Sequence, residues 1–340
     1  MSVSSRSPPW LRLLYALASG TVLAFLTGCA RPYVHPSPAE PTPPRLADTH
    51  AVMEDGYRLP LVRWEAPGPP RAIVLAVHGL NDYSHAFEAV GHYLSNQGIT
   101  LIGYDQRGFG ATAGHGLWHG TDRLTADLIT MAGLIRRRHP DTPLYLLGES
   151  MGGAVVINAL GSGGLEVEGV ILVAPAVWSR NTMPVYQRIA LWVAAHTAPG
   201  KQLTGEGLDL KPSDNIEMLR ELARDAQVIK ATRVDVLYGV SNLMDSAMQV
   251  SGALEADILL LYGAHDDIIP RKPTCRLVKQ LNHNPGSLTP IYYTEGYHML
   301  TRDLQAPVVW ADIGDWILGP GDARRVGGTP AFCVATSEAD

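Results

Sequence analysis

The ten residues from Leu144 to Gly153, L-Y-L-L-G-E-S-M-G-G, constrain this chain more than any other stretch. Leu144 to Leu147 is an apolar run with the length and composition of a short buried strand. Beyond G-E-S-M-G, the residues Gly153 to Leu160 continue as a buried helix. G-x-S-x-G between a strand and a helix is a nucleophile elbow, a sharp turn that lifts one serine hydroxyl above the sheet. Gly148 and Gly152 have a steric role in such a turn, because a side chain at either position would crowd it. The bare pattern also arises by chance in a chain with 34 glycines, and Ser150 would then be an ordinary loop residue. What separates the two readings is whether the other parts of a serine nucleophile site flank the motif in the right order.

The N-terminus carries an address. Arg6 and Arg12 precede an apolar segment, Leu13 to Leu26, that runs into Leu26-Thr27-Gly28-Cys29. A basic start, a short apolar core and small residues before a cut site describe a secretory signal over residues 1–28. The apolar stretch is shorter than the roughly 20 residues a bilayer-spanning helix needs. An uncleaved anchor helix is the competing reading, and both place the chain at a membrane surface. L-T-G-C resembles the lipobox of bacterial lipoproteins, and that resemblance implies lipidation of Cys29 in a bacterial cell envelope. Residues 29–46 are rich in proline, which builds neither helix nor interior strand, so this stretch reads as a stiff tether. The globular body then starts near Ala47.

Loss of residues 1–28 removes two arginines and no acid, taking the formal charge from −6 to −8. A mildly acidic protein gives no electrostatic reason to expect nucleic acid as a partner. With Cys29 lipidated, Cys275 and Cys333 remain, and a single bridge between them is open in an oxidising compartment. His115 and His119 are four apart in a glycine-rich stretch rather than on a clear helix, which disfavours a zinc site.

The body alternates strands and helices. Asp48 to Glu65 reads as a leading hairpin turning at Glu54-Asp55-Gly56. Ala72 to Val77, A-I-V-L-A-V, is a continuous apolar strand of the kind buried in a parallel sheet. His78-Gly79-Leu80 follows it, then a helix from about Ser84 to Gln97 and a strand from Ile99 to Asp105. Thr121 to Arg138 reads as a helix with its arginines at the C-terminal end, where they favour the helix dipole. Val170 to Ala174, Ile258 to Tyr262 and Ile291 to Tyr293 complete the strands, and a helix from about Pro307 to Leu318 closes the body. This spacing predicts a parallel α/β sheet. Residues 176–248 interrupt the alternation with helical segments. The first of these is apolar nearly all round, with Val185, Ile189, Trp192 and Val193 on one face. Asn215 to Lys230 and Val234 to Gln249 read as two more helices. Gly319 to Asp340, rich in Gly and Pro, reads as a loose tail.

H-G-x after one strand, D-x-R-G-x-G from Asp105 to Gly110 after the next, then G-E-S-M-G-G, together resemble the α/β-hydrolase fold. Within it they resemble the branch of monoacylglycerol lipases, lysophospholipases and serine aminopeptidase S33-like hydrolases, over residues 50 to 318. The resemblance implies an oxyanion hole from the backbone N–H groups of Leu80 and Met151, and structural roles for Asp105 and Arg107. It implies a lid over residues 176–248, in which Trp192 either meets substrate or is buried against the core. Two aspartates compete for the acid after Ile258–Tyr262. The family pattern G-x-x-D, counted from Gly263, selects Asp266 and leaves Asp267 facing solvent. Of the 12 histidines, His298 follows the acid on a post-strand loop, whereas His283 lies in a polar turn. Ser150, Asp266 and His298 then stand in the chain order of this fold's triad. Serine is a weak nucleophile at its free pKa and needs such a base. The chemistry requires no metal or organic cofactor. The expected activity is hydrolysis of lipid-like carboxylic esters through an acyl-enzyme. The same fold also carries peptidases, acyltransferases and non-catalytic binding proteins, and fold alone does not choose among them.

Overall fold

The computed structural model describes residues 32–36, 41–319 and 331–334. The signal segment, Cys29 and most of the tail lie outside the described residues. No helix among the described residues is long and apolar enough to cross a membrane.

A nine-stranded sheet organises the body. Its strands are β1 (Arg45–Leu46), β2 (His50–Val52), β3 (Arg58–Trp64), β4 (Ala72–Val77), β5 (Ile99–Tyr104), β6 (Leu144–Glu149), β7 (Gly169–Val173), β10 (Ile258–Gly263) and β11 (Leu288–Tyr293). They lie in the order β1-β2-β3-β5-β4-β6-β7-β10-β11. From β5 to β11 every pairing is parallel, while the leading strands run antiparallel and cap one edge. This is the α/β-hydrolase architecture expected from the sequence. Every residue of β4, β5, β6, β7 and β10 is buried, as a parallel sheet covered on both faces requires.

Two apolar layers cover the faces. On one, Leu124, Leu128 and Met131 of α2 (Thr121–Arg138) pack with Val155 of α3 (Met151–Gly161), Leu243 of α6 (Val234–Val250) and Leu277 of α7 (Arg271–Leu281). On the other, Val90 and Leu94 of α1 (Glu88–Asn96) pack with Val309, Ile313 and Trp316 of α8 (Ala306–Leu318). Asp105 and Arg107 act as structural residues. Asp105 accepts from the N–H and hydroxyl of Ser84 and from the Ala111 N–H. Arg107 is buried between Asp55 and Asp127. Burial raises the Asp127 carboxyl to about 6, against the pull of Arg107.

The insertion departs from the sequence reading in two places. The helix expected over Asn215 to Lys230 is shorter, and α5 spans Ile216–Arg224. It stops because Asp225 turns extended and its carboxylate takes the Gln227 N–H, while Lys230 donates to the carbonyls of Asp225 and Val228. The freed segment forms β9 (Ala231–Arg233), which pairs antiparallel with β8 (Gln202–Thr204) across the intervening α5. The helix α4 (Val185–Thr197) lies at the surface, not in the core. Trp192 is 51 % exposed, and Val185, Tyr186, Ile189 and Val193 are exposed with it. Burial of Trp192 against the core is therefore overturned: α4 rests on α6 and buries Ala195, while these apolar side chains stay exposed among the described residues.

Both ends of the body are tied down more than composition suggests. The His35 N–H donates to the Trp118 carbonyl, fastening the first half of the proline-rich segment to the body. Within the expected loose tail, α9 (Ala331–Val334) is a short helix held by a Cys275–Cys333 disulfide. Phe332 stacks on Tyr292 and Tyr262, with centroids 4.6 and 5.7 Å away. Closing a loop of 58 residues limits the unfolded chain by up to about 4 kcal/mol. Cys333→Ser, or reductant on the wild type, should lower the urea midpoint accordingly, and reductant should leave the variant's midpoint unchanged.

Candidate active site

The elbow is built from collisions that glycine avoids. A Cβ at Gly152 would overlap the Val77 carbonyl oxygen, and one at Gly148 would lie 2.6 Å from the Gly153 Cα. Between them Ser150 adopts φ 52°, ψ −116°, a conformation an L-residue holds only when its surroundings enforce it. Three groups of bonds enforce it. The Ser150 N–H donates to Val173 O at 3.0 Å, its carbonyl accepts from Ala176 N–H at 2.8 Å, and the first turn of α3 donates to the same carbonyl.

Ser150, His298 and Asp266 come from the ends of β6, β11 and β10 and meet in one hydrogen-bonded line. His298 Nε2 lies 2.9 Å from Ser150 Oγ, and His298 Nδ1 lies 2.9 Å from Asp266 Oδ2. The other carboxylate oxygen of Asp266 accepts from the N–H groups of Ile268 and Ile269, both at 2.9 Å. That fixes the carboxylate plane toward the histidine. Asp267 and His283 are exposed to solvent. Burial pulls the His298 imidazole toward lower pKa, but the charge and hydrogen bond of Asp266 outweigh it and the net shift is upward.

The loop after β4 lies directly against the serine. A Cβ placed on Gly79 would sit 3.8 Å from Ser150 Oγ. Leu80 follows in that loop, and Met151 is the first residue of α3, where N–H groups lack intrahelical partners. His78 anchors the loop: its Nδ1 lies 2.8 Å from the Gly79 carbonyl and its Nε2 accepts from Gln106 N–H at 3.0 Å. Complete burial pushes this imidazole's pKa down, so His78 stays neutral with the proton on Nδ1. The insertion is laced to both site loops. Asn81 donates to Thr232, and Ile229 N–H to the Asn81 carbonyl. On the other side Met299 N–H donates to Pro212 O, and Asn215 to the Arg302 carbonyl.

Sequence reasoning missed the charged residues between these loops. Arg302 pairs with Asp82 at 2.8 Å and with Glu149 at 3.0 Å, and Thr301 donates to the same Glu149 carboxylate. The only available sequence signal was a pair of acids, one beside the serine and one after H-G-L, with one arginine four residues past the histidine. His115 and His119 do not converge on one point. The His115 Nδ1 lies 2.9 Å from Gly110 O, while the His119 ring packs edge-on against His35 and Tyr57.

A family model described as serine aminopeptidase, S33, matches residues 68–305, well over half of the chain. A monoacylglycerol lipase of Mycolicibacterium smegmatis is 26 % identical over 277 residues, covering 77 % of this chain and 94 % of that protein. The mouse monoglyceride lipase is 23 % identical, with 84 % and 93 % covered. Among solved structures, the Paleococcus ferrophilus monoacylglycerol lipase superposes with a TM-score of 0.63 at 22 % identity, covering 76 % of this chain and 98 % of its own. A soluble variant of the Saccharomyces cerevisiae monoglyceride lipase gives 0.67 at 19 %, with 87 % and 99 % covered.

The two aspartates give a direct test of the geometry. Asp266→Asn should reduce ester turnover on the order of 10⁴-fold, since the amide no longer supports the working tautomer and charge of the histidine. Asp267→Asn should leave turnover nearly unchanged. The pH profile adds a sign. His298 works as a base only when neutral, so kcat/KM should fall as pH drops through a value above the ordinary 6.5 of histidine. In Asp266→Asn the upward pull is gone, and the acid limb of the residual activity should move to lower pH.

Proposed function

For a chain that belongs to the serine aminopeptidase S33 family, we propose hydrolysis of lipid-like carboxylic esters of the monoacylglycerol type through an acyl-enzyme on Ser150. The observation that carries this reading is the line from Ser150 through His298 to Asp266, with both contacts at 2.9 Å. His298 Nε2 takes the proton as Ser150 Oγ attacks the acyl carbon, and Asp266 stabilises the imidazolium. The Leu80 and Met151 N–H groups hold the oxyanion, each donor worth about 2.7–4 kcal/mol of barrier. His298 then protonates the leaving alcohol, and water repeats the cycle on the acyl-enzyme. The substrate class rests on the lipases the chain is similar to. Ser150→Ala should remain folded and lose nearly all esterase activity, and a fluorophosphonate probe should label the wild type and miss the variant.

The insertion over residues 176–248 serves in this reading as the lid that shelters the acyl chain. Its support is the apolar outer face of α4 and a groove of about 400 Å³ lined by Val185, Ile189, Trp192 and Tyr238 together with Arg180 and Arg188. Each methylene removed from water contributes about 0.8 kcal/mol, and it raises specificity where the contact persists in the transition state. Medium and long acyl esters should therefore exceed acetate esters in kcat/KM. Because Trp192 is half exposed, Trp192→Ala should change stability by no more than about 0.5 kcal/mol while narrowing that preference. A wild type that favours acetyl or peptide substrates would reject the lipid reading and leave the triad standing.

The lipid anchor belongs to the same proposal. Cys29 in L-T-G-C carries the acyl modification, and the protein works from a membrane surface in the bacterial envelope. The Cys275–Cys333 disulfide supports an oxidising compartment. Expressed in bacteria with its own leader, the chain should appear in the membrane fraction with acyl mass on Cys29, and Cys29→Ser should abolish that mass. An unmodified chain beginning at Met1 would overturn the anchor.

A further inference from the structure

Three loops must hold their spacing for the site to work: the one after β4 with Leu80, the elbow with Ser150, and the one after β11 with His298. One side chain touches all three. Arg302 belongs to the histidine loop, and its Nη2 lies 2.8 Å from Asp82 Oδ2 and 3.0 Å from Glu149 Oε1. Asp82 stands two residues past Leu80, and Glu149 directly precedes Ser150. The three side chains are 90 % or more buried. Thr301 adds a hydroxyl bond to the other Glu149 oxygen at 2.8 Å. Asp303, next in the chain, is spent elsewhere, on the Ser213 hydroxyl and the Tyr297 N–H.

We infer that Arg302 is a positioning residue for the reaction, an ionic clamp that sets the oxyanion loop, the elbow and the histidine loop at their working separation. This inference rests on Ser150 acting as the nucleophile. The physical case is that a buried arginine between two carboxylates is a poor source of net stability, since desolvation cancels most of the attraction. Its geometry, by contrast, is stiff: the guanidinium is planar, and moving any one loop breaks its bond to a largely buried carboxylate. A displacement of about 1 Å at such a site costs on the order of 10²-fold in rate. The groups facing His298 are Asp266, Glu149 and Arg302, and the cation opposes protonation of the imidazole while the two carboxylates favour it.

The test compares Arg302→Gln, Arg302→Lys and Asp82→Asn with wild type in the full chain. It measures kcat and KM on a medium-chain monoacylglycerol, the second-order rate of fluorophosphonate labelling, the pH profile and the unfolding midpoint. Arg302→Gln should lower kcat and the labelling rate together by about 10- to 100-fold, with KM within about threefold of wild type. Its acid limb should move to higher pH, because a charge that opposes protonation of His298 is gone. Arg302→Lys should return the limb and recover part of kcat. Asp82→Asn, which frees only the oxyanion loop, should lower kcat while leaving the limb in place. Labelling and turnover at the wild-type rate per folded molecule in Arg302→Gln, with an unmoved limb, would overturn the clamp, as would a loss that follows the unfolding midpoint alone. Should Arg302→Gln fail to fold, wild-type kcat in both Arg302→Lys and Asp82→Asn would overturn it. A wild type that resists the probe altogether would instead refute the nucleophile assignment.

Discussion

Everything at this site depends on a strained serine backbone. A left-handed conformation at a non-glycine residue costs about 1–3 kcal/mol and persists only where its neighbours leave no alternative. Here the constraint comes from both directions along the chain. β6 arrives fully buried between β4 and β7, so the strand has no freedom to relieve the turn. α3 leaves pressed against Val77 at Gly152, so the helix cannot back away. The bonds from Ser150 to Val173 and Ala176 then tie the turn to the next strand. The hydroxyl stands above the sheet because the backbone beneath it has one place to go.

Charge is handled by a second set of choices. Arg107 and Arg302 are both buried and both sit between two carboxylates, but they do different things. Arg107 joins Asp55 of the leading hairpin to Asp127 of α2 and holds scaffold to scaffold. Arg302 joins loops that carry the reacting groups. Burial alone would lower its pKa, and Asp82 and Glu149 hold it above the ordinary value, so the clamp stays charged throughout the working range. His78 takes the opposite course: buried without a carboxylate contact, it stays neutral and serves as a hydrogen-bonded strut between Gly79 and Gln106.

The sheet was legible in the sequence because burial on both faces leaves an unbroken apolar run. Ala72–Val77 and Thr121–Arg138 were readable to the residue, and the other central strands to within one or two. Asp266 and His298 were legible for a different reason, since chain order and the position just past a strand restrict the candidates to a few residues. The β8–β9 pair was not legible: two three-residue strands of mixed polarity, Q-L-T and A-T-R, carry no alternation to detect. Nor was the end of α5, where capping by Asp225 defeats a pattern that would otherwise run on to Lys230. The Arg302 clamp escaped for a stronger reason. Its members are separated by 67 residues on one side and 153 on the other, and nothing local distinguishes an arginine on the surface from one between loops.

The exposure of α4 bears on how a substrate would be chosen. An apolar helix in a core adds stability whatever the enzyme acts on, and its composition then says nothing about specificity. α4 is different, because Val185, Tyr186, Ile189, Trp192 and Val193 face outward. Leaving them in water forgoes about 25 cal/mol for each Å² of apolar surface that burial would have contributed. A face of that kind gains most from an apolar ligand, since the desolvation it lacks in the free protein becomes available on binding. The rest of the insertion is fastened on two sides: Pro212 and Asn215 are bonded to the loop that carries His298, and Ile229 and Thr232 to the loop after β4. An acyl chain settling against α4 would thus load the element that is fastened to both sides of the serine. In the reading proposed here, that makes chain length a determinant of the spacing that Arg302 maintains from beneath, and couples selection of the acyl group to the rate of attack upon it.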